Sequence, residues 1–325
     1  MSTSLQRDFF AKHAEVYFLG GQRSETTHGW ISDEMASIAE VGLRYTKDLM
    51  FNRSAAKKYL KKHFENFEAT SGKKLLCFSS ESMAFTMHYD VDVVTKAMRL
   101  HDLFGQNCKV LMVIRNQLDL FRSYYFECVR CGYPGYFGDF IEYHYFHQFR
   151  SMLSDLYYDK LFEVYAKLFG RDNIIVKPME LLAKDMVNEF KKLALSLNID
   201  ASNLDIGQQN SSSDKLYLQA VRLMNEKFPN NMGNTYYGMT DTDKLEAYWR
   251  VELGENAPPS AINNNGTRML VYRAAQSVVK DFVGPLVAEY SEFWEERMHD
   301  FFAQSNKNLQ ERIGLGLSEY GYPLP

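Results

Sequence analysis

The stretch KVLMVIRNQLDLFRSYYFECVRCG, Lys109 to Gly132, decides the fold. Its first part, Lys109 to Arg115, is a nearly unbroken apolar run. Such runs suit strands buried on both faces of a parallel sheet. The strand ends at Arg115, and Ser123 follows eight residues later on what reads as the next helix. An arginine at the C-terminal end of a strand faces the ligand crevice of an α/β sheet. Its guanidinium can grip a phosphate through two parallel hydrogen bonds, and a hydroxyl can add one more.

Working outward, three more apolar runs have strand length: VYFLG (Val16 to Gly20), KLLCFSS (Lys74 to Ser80) and NIIVKP (Asn173 to Pro178). Segments with helical spacing of apolar residues lie between them: SDEMASIAEVGLRYTKDL, YDVDVVTKAMRLHDLF and SDLYYDKLFEVYAKLFG. Strand alternating with helix reads as βαβ units and an α/β fold with a central, mostly parallel sheet flanked by helices. From about Asp200 the texture turns polar and then helical. The last third reads as helical cover on the sheet, so the chain is expected to form a single domain, with a core at about 15–213 and an extension at 214–325. No internal repeats are visible.

The first strand runs into a second candidate site, EVYFLGGQRSETTHGW (Glu15 to Trp30). A strand, a Gly-containing turn and a helix start hold anions well. Gly21, Gln22, Arg23, Ser24, Glu25, Thr26 and Thr27 form this turn, which is not a Walker A loop because G-x-x-x-x-G-K-[ST] is absent. An ordinary polar turn after a buried strand explains it about as well on its own. Two anion sites at the C-terminal edge of one sheet suit a cofactor with two phosphate-like ends.

Composition narrows the classes. The 325 residues are 46% hydrophobic, 14% aromatic and 24% charged, which is a globular balance. A net charge of −4 argues against a nucleic-acid partner. No apolar run reaches membrane-span length, and the N-terminal segment lacks a signal-peptide core, so a cytoplasmic protein is expected. Cys77 and Cys108 read as buried thiols. Cys128 and Cys131 form one C-x-x-C with no second pair to complete a zinc site, and no metal is expected. The aromatic run Tyr133 to Phe149 reads mainly as core, and the lysine pairs Lys57-Lys58 and Lys61-Lys62 as a solvated helix face.

Taken together, these segments resemble the sulfotransferases that use 3′-phosphoadenosine 5′-phosphosulfate (PAPS), and their bacterial, carbohydrate-type members in particular. The family's second signature looks like R-N-P-x-D-x-x-x-S-x-Y. Here Arg115-Asn116-Gln117-Leu118-Asp119 leads to Ser123-Tyr124-Tyr125, with Gln117 where proline is usual. The first signature looks like P-K-S/A-G-T-T, and here Gln22-Arg23-Ser24-Glu25-Thr26-Thr27 stands in that register, with Arg23 for lysine and Glu25 for glycine. YDKLFEVYAKLFGRDNIIVKPMELLAKD, QNSSS and the C-terminal tail are similar to later family segments.

The resemblance implies a P-loop-like three-layer fold and PAPS as donor. It implies that Arg115 and Ser123 hold the 3′-phosphate, and that Gly21 to Thr27 hold the 5′-phosphosulfate. Arg23 would stabilise charge on the leaving oxygen; arginine keeps a permanent charge but is a poor proton donor. The acceptor hydroxyl, of a saccharide or polysaccharide precursor, needs a base. Asp48, in RYTKDLMFN, ranks first for that role, Glu81 second and His88 third. Two alternatives remain: a non-catalytic relative whose loop is altered by Glu25, and a P-loop nucleotide kinase, against which the missing Walker lysine counts.

Overall fold

The computed structural model describes residues 4–20, 29–86, 90–130, 132–202, 214–227 and 284–325. Its elements follow the expected alternation. Strand β1 (Val16–Gly20) leads to α1 (Asp33–Ala36), which continues as a wider π-helical turn over Ser37–Gly42, and then to α2 (Arg53–Ala69). Strand β2 (Leu75–Phe78) precedes α3 (Val93–Phe104), and β3 (Val110–Ile114) precedes α4 (Gln117–Arg130). Next come α5 (Phe137–Phe146), α6 (Met152–Asp155), α7 (Tyr158–Phe169), β4 (Ile174–Pro178), α8 (Met179–Lys184) and α9 (Met186–Ser196). The C-terminal third contributes α10 (Lys215–Lys227) and the long α11 (Glu292–Ile313).

Local chemistry sets several helix starts. Ser32, Asn52 and Asp92 each accept a hydrogen bond from a backbone N–H three residues on, at 3.2, 3.0 and 2.9 Å, which satisfies an otherwise orphaned donor.

The strands pair in parallel, as their sequences suggest. β1 lies beside β2 in register Val16↔Leu75 to Phe18↔Cys77, with a shift before Gly20↔Phe78. β3 lies beside β4 from Val110↔Ile174 to Ile114↔Pro178. The single expected sheet is realised as two pairs, and no ladder joins them among the described residues. Apolar patterning fixes which face a side chain takes but not which strand lies next to which.

Both pairs share the same two apolar clusters. Leu19, Met112, Ile114 and Val176 point into the larger one, with residues from α3, α4, α5, α7 and α11. Val16, Phe18, Leu75, Cys77, Leu111, Val113 and Ile175 face the smaller one, with Leu5, Phe9, Leu182 and Phe190. This period-two alternation places the strands between the clusters. The two described helices of the C-terminal third pack on that core: α11 lies along α7 and α4, and α10 along α4. Among the described residues no helix is long and apolar enough to cross a membrane.

Two expectations need adjusting. Cys77 and Cys108 are only half-buried, and burial raises both thiol pKa values. The aromatic run is split: Phe137 and Phe140 pack against Phe121 and Tyr125, whereas Tyr143, Phe146 and Phe149 are exposed. Cys128 is buried, and Cys131 lies outside the described residues. Of the lysine pairs, Lys57 binds Asp102 at 2.9 Å, and Lys58 and Lys62 are exposed.

Candidate functional site

The first candidate turn is clamped at both ends. Gly20 closes β1 with φ +112 and bridges antiparallel to Trp30, and Ile31 N–H donates to Leu19 C=O at 3.0 Å. The chain leaves the strand and returns to the same place. The turn between these ends, with Gly21, Gln22, Arg23, Ser24, Glu25, Thr26 and Thr27, lies outside the described residues, as does His88. Trp30, just beyond it, is 3% exposed, and its indole N–H donates to Glu40 at 3.2 Å.

The second candidate turn is fully described. Arg115 stands just past β3, and Ser123 lies on α4, exposed. The main-chain groups of this turn are engaged elsewhere. Arg115 C=O accepts from the Tyr158 hydroxyl at 2.8 Å, and Asn116 N–H donates to Glu180 Oε1 at 2.9 Å. Asn116 Oδ1 accepts from Leu118 N–H at 2.9 Å and starts α4. Gln117, where proline was expected, is fully buried and forms a reciprocal amide pair with Asn306 of α11 at 2.6 and 3.1 Å. Among the described residues neither the Arg115 guanidinium nor the Ser123 hydroxyl has a hydrogen-bond or ion-pair partner. A half-buried arginine whose guanidinium has no partner among the described residues has donors to offer an anionic group. Leu19 and Ile114, which precede the two turns, lie in the same buried cluster.

The candidate bases separate. Asp48 sits in a turn after the π-helical segment and is ion-paired to Arg99 at 2.5 Å. Its side chain is 77% exposed, whereas that of Arg99 is 3% exposed. Arg99 also donates to Gly42 C=O at 2.8 Å and stacks on Phe51 at 4.4 Å, so one buried side chain holds the whole turn. Asp48 lines an open cleft with Tyr45, Lys47, Asp90, Val91, Asp92 and Thr95. Glu81 is exposed at the start of a short 3₁₀ turn and does not line that cleft.

Beneath the cleft runs a buried charge network that sequence reading missed. Lys96 is 0% exposed and donates to Asp90 at 2.7 Å and to the carbonyls of Ser82 and Phe85 at 2.8 Å each. Asp90 also accepts from Arg44 at 2.8 Å, and Arg44 reaches Glu40 at 3.6 Å. The chain Trp30–Glu40–Arg44–Asp90–Lys96 therefore ties together the segment after the first turn, the segment before Asp48 and the segment after Glu81. Burial pushes the Lys96 pKa down, and Asp90 pulls against it. Asp155 accepts from Thr86 N–H at 2.5 Å, and burial raises its pKa. A visible signal was available: Lys96 and Arg99 share the face of α3 that carries Ala97, Leu100 and Leu103, while Val94 and Met98 face solvent.

No family model and no curated protein matches the sequence. The fold is similar to the crystal structure of a sulfotransferase from Alicyclobacillus acidocaldarius. The TM-score is 0.52 and the identity 14%, over 98% of this chain and 94% of that one. The likeness is one of fold.

Proposed function

We propose that the protein is a sulfotransferase that takes a sulfuryl group from PAPS to a hydroxyl of a saccharide or polysaccharide precursor. The observation that carries this is Arg115 at the end of β3, unpartnered among the described residues, with Ser123 eight residues on, in a fold similar to that of a solved sulfotransferase. The P-loop-like, three-layer description of the fold belongs to the same reading.

Arg115 and Ser123 hold the 3′-phosphate, and the turn at Gly21 to Thr27 holds the 5′ end. When bound, PAPS supplies an activated sulfuryl group. The protein's share is positioning and charge stabilisation. Arg23 carries a fixed positive charge to the side from which the phosphate departs. Asp48, which lines the cleft, takes the proton of the acceptor hydroxyl while Arg99 holds its Oδ1. Lys47, without a partner among the described residues, offers a donor to acceptor oxygens at the same cleft.

A binding-only reading is favoured by one observation, the 2.5 Å ion pair that commits half of Asp48 to Arg99. Transfer of label from sulfur-35 PAPS to a panel of saccharides separates the two. The expected result is labelled product, with Asp48→Asn lowering kcat by roughly 10²–10⁴-fold, the usual share of a general base, and Glu81→Gln changing it little. Tight binding of 3′-phosphoadenosine 5′-phosphate (PAP) without transfer to any hydroxyl would favour the binding protein. Turnover that requires ATP and Mg²⁺ would favour a kinase.

A further inference from the structure

Three consecutive residues at the β3–α4 turn are each fastened to a different part of the chain. Arg115 C=O accepts from the hydroxyl of Tyr158, at the start of α7, at 2.8 Å. Asn116 donates through its side-chain amide to Gly321 C=O at 2.5 Å and through its N–H to Glu180 Oε1 at 2.9 Å. Glu180 Oε2 in turn accepts from the Tyr322 hydroxyl at 2.9 Å. Gln117, the first residue of α4, donates to Leu156 C=O at 3.3 Å and to Asn306 Oδ1 at 2.6 Å, and its Oε1 accepts from Asn306 Nδ2 at 3.1 Å. Asn306 Nδ2 also donates to Pro323 C=O at 3.0 Å. Asn306 therefore joins α11 both to the turn and to the C-terminal tail.

Buried amides cost free energy unless their donors and acceptors are met. Gln117 and Asn306 are fully buried, and each amide nitrogen has two acceptors. Apolar side chains would fill the same space without that demand. A fully satisfied amide pair adds a fixed direction to the packing. Gln117 has no ring to fix its backbone, as proline has at the first position of a helix, and the pair restrains it from outside. Arg115 lies two residues earlier, and its guanidinium has no partner among the described residues, so the backbone sets where it stands. We propose that Asn306 is a positioning residue for the phosphate site. By locking Gln117 it holds the Arg115 turn in one orientation, and the 3′-phosphate of a nucleotide meets a guanidinium placed in advance. The inference rests on the reading of Arg115 as a phosphate site.

The test is calorimetric binding of PAP and of adenosine 5′-phosphate, which lacks the 3′-phosphate, to the full-length protein. The wild type is compared with Asn306→Leu, with the milder Asn306→Ser, and with the double variant Gln117→Pro/Asn306→Leu. Thermal melts set a temperature at which each variant is folded. The wild type is expected to prefer PAP. Either Asn306 variant should lose about tenfold of that preference, with adenosine 5′-phosphate bound as before, because ordering the turn is then charged to the 3′-phosphate. The double variant should regain the preference, since the proline ring replaces the lost restraint. A role in stability alone would lower the melting temperature and leave the preference intact. That result, an equal loss of affinity for both nucleotides, or a double variant as poor as the single one would overturn the proposal. A wild type with no preference for PAP would instead overturn the phosphate reading on which it stands.

Discussion

Replacing Lys96 with methionine is expected to lower the unfolding free energy by about 3–5 kcal/mol, the usual cost of removing one partner from a buried ion pair. The ammonium is 0% exposed, and all three of its hydrogen bonds go to protein acceptors. Methionine matches the length of the stem, so little packing is lost. The loss falls on the partners. The carbonyls of Ser82 and Phe85 lose a donor, and Asp90, whose side chain is fully buried, loses its ammonium partner while keeping Arg44. Urea denaturation with an unchanged m-value measures the effect. A difference below about 1 kcal/mol would mean that the network is slack. Because the same network reaches Trp30 through Arg44 and Glu40, the variant should also bind PAP more weakly at temperatures where it is still folded.

Gly20→Ala is expected to destabilise the protein by about 2–5 kcal/mol, combining a backbone term and a packing term. With φ at +112, Gly20 occupies a conformation that side chains rarely adopt. A Cβ there would lie 2.3 Å from Gly29 O and 2.6 Å from Trp30 Cα. Both contacts are with backbone, so relief requires opening the bridge that returns the turn to the strand. Gly72 is the matched control: its φ is +82 and a Cβ there meets nothing within 4 Å, so Gly72→Ala shows the backbone term alone, about 1 kcal/mol. Equal effects of the two substitutions in equilibrium melts would show that the clamp at Gly20 is not tight.

The strands were legible because buried parallel strands write themselves as short apolar runs. VYFLG is β1 residue for residue, and KVLMVIR and NIIVKP overlap β3 and β4 almost fully. The strand-to-helix step at Arg115 and the helical position of Ser123 were legible for the same reason: the period changes from continuous to helical at Asn116. Strand order was not, since it depends on contacts far apart in sequence. The buried charges were missed because a lysine in a helix is ordinarily solvated. Lys96 and Arg99 depart from that only because Asp90, Asp48 and backbone carbonyls meet them from other elements. Gln117 looked like a departure from a signature, and its reason, the amide of Asn306, lies 189 residues away. Glu180 and Tyr322 gave no signal at all, because neither belongs to a motif and their hydrogen bond spans 142 residues.

The central claim is that Arg115 is the anchor of a PAPS-type nucleotide, and calorimetric titration of PAP into the wild type and Arg115→Ala tests it most directly. The account predicts saturable one-to-one binding by the wild type and at least a hundredfold weaker binding by the variant, about 2.7 kcal/mol, with thermal stability nearly unchanged because the guanidinium supports nothing else among the described residues. Absence of PAP binding by the wild type, or equal affinity in the two proteins, would contradict it.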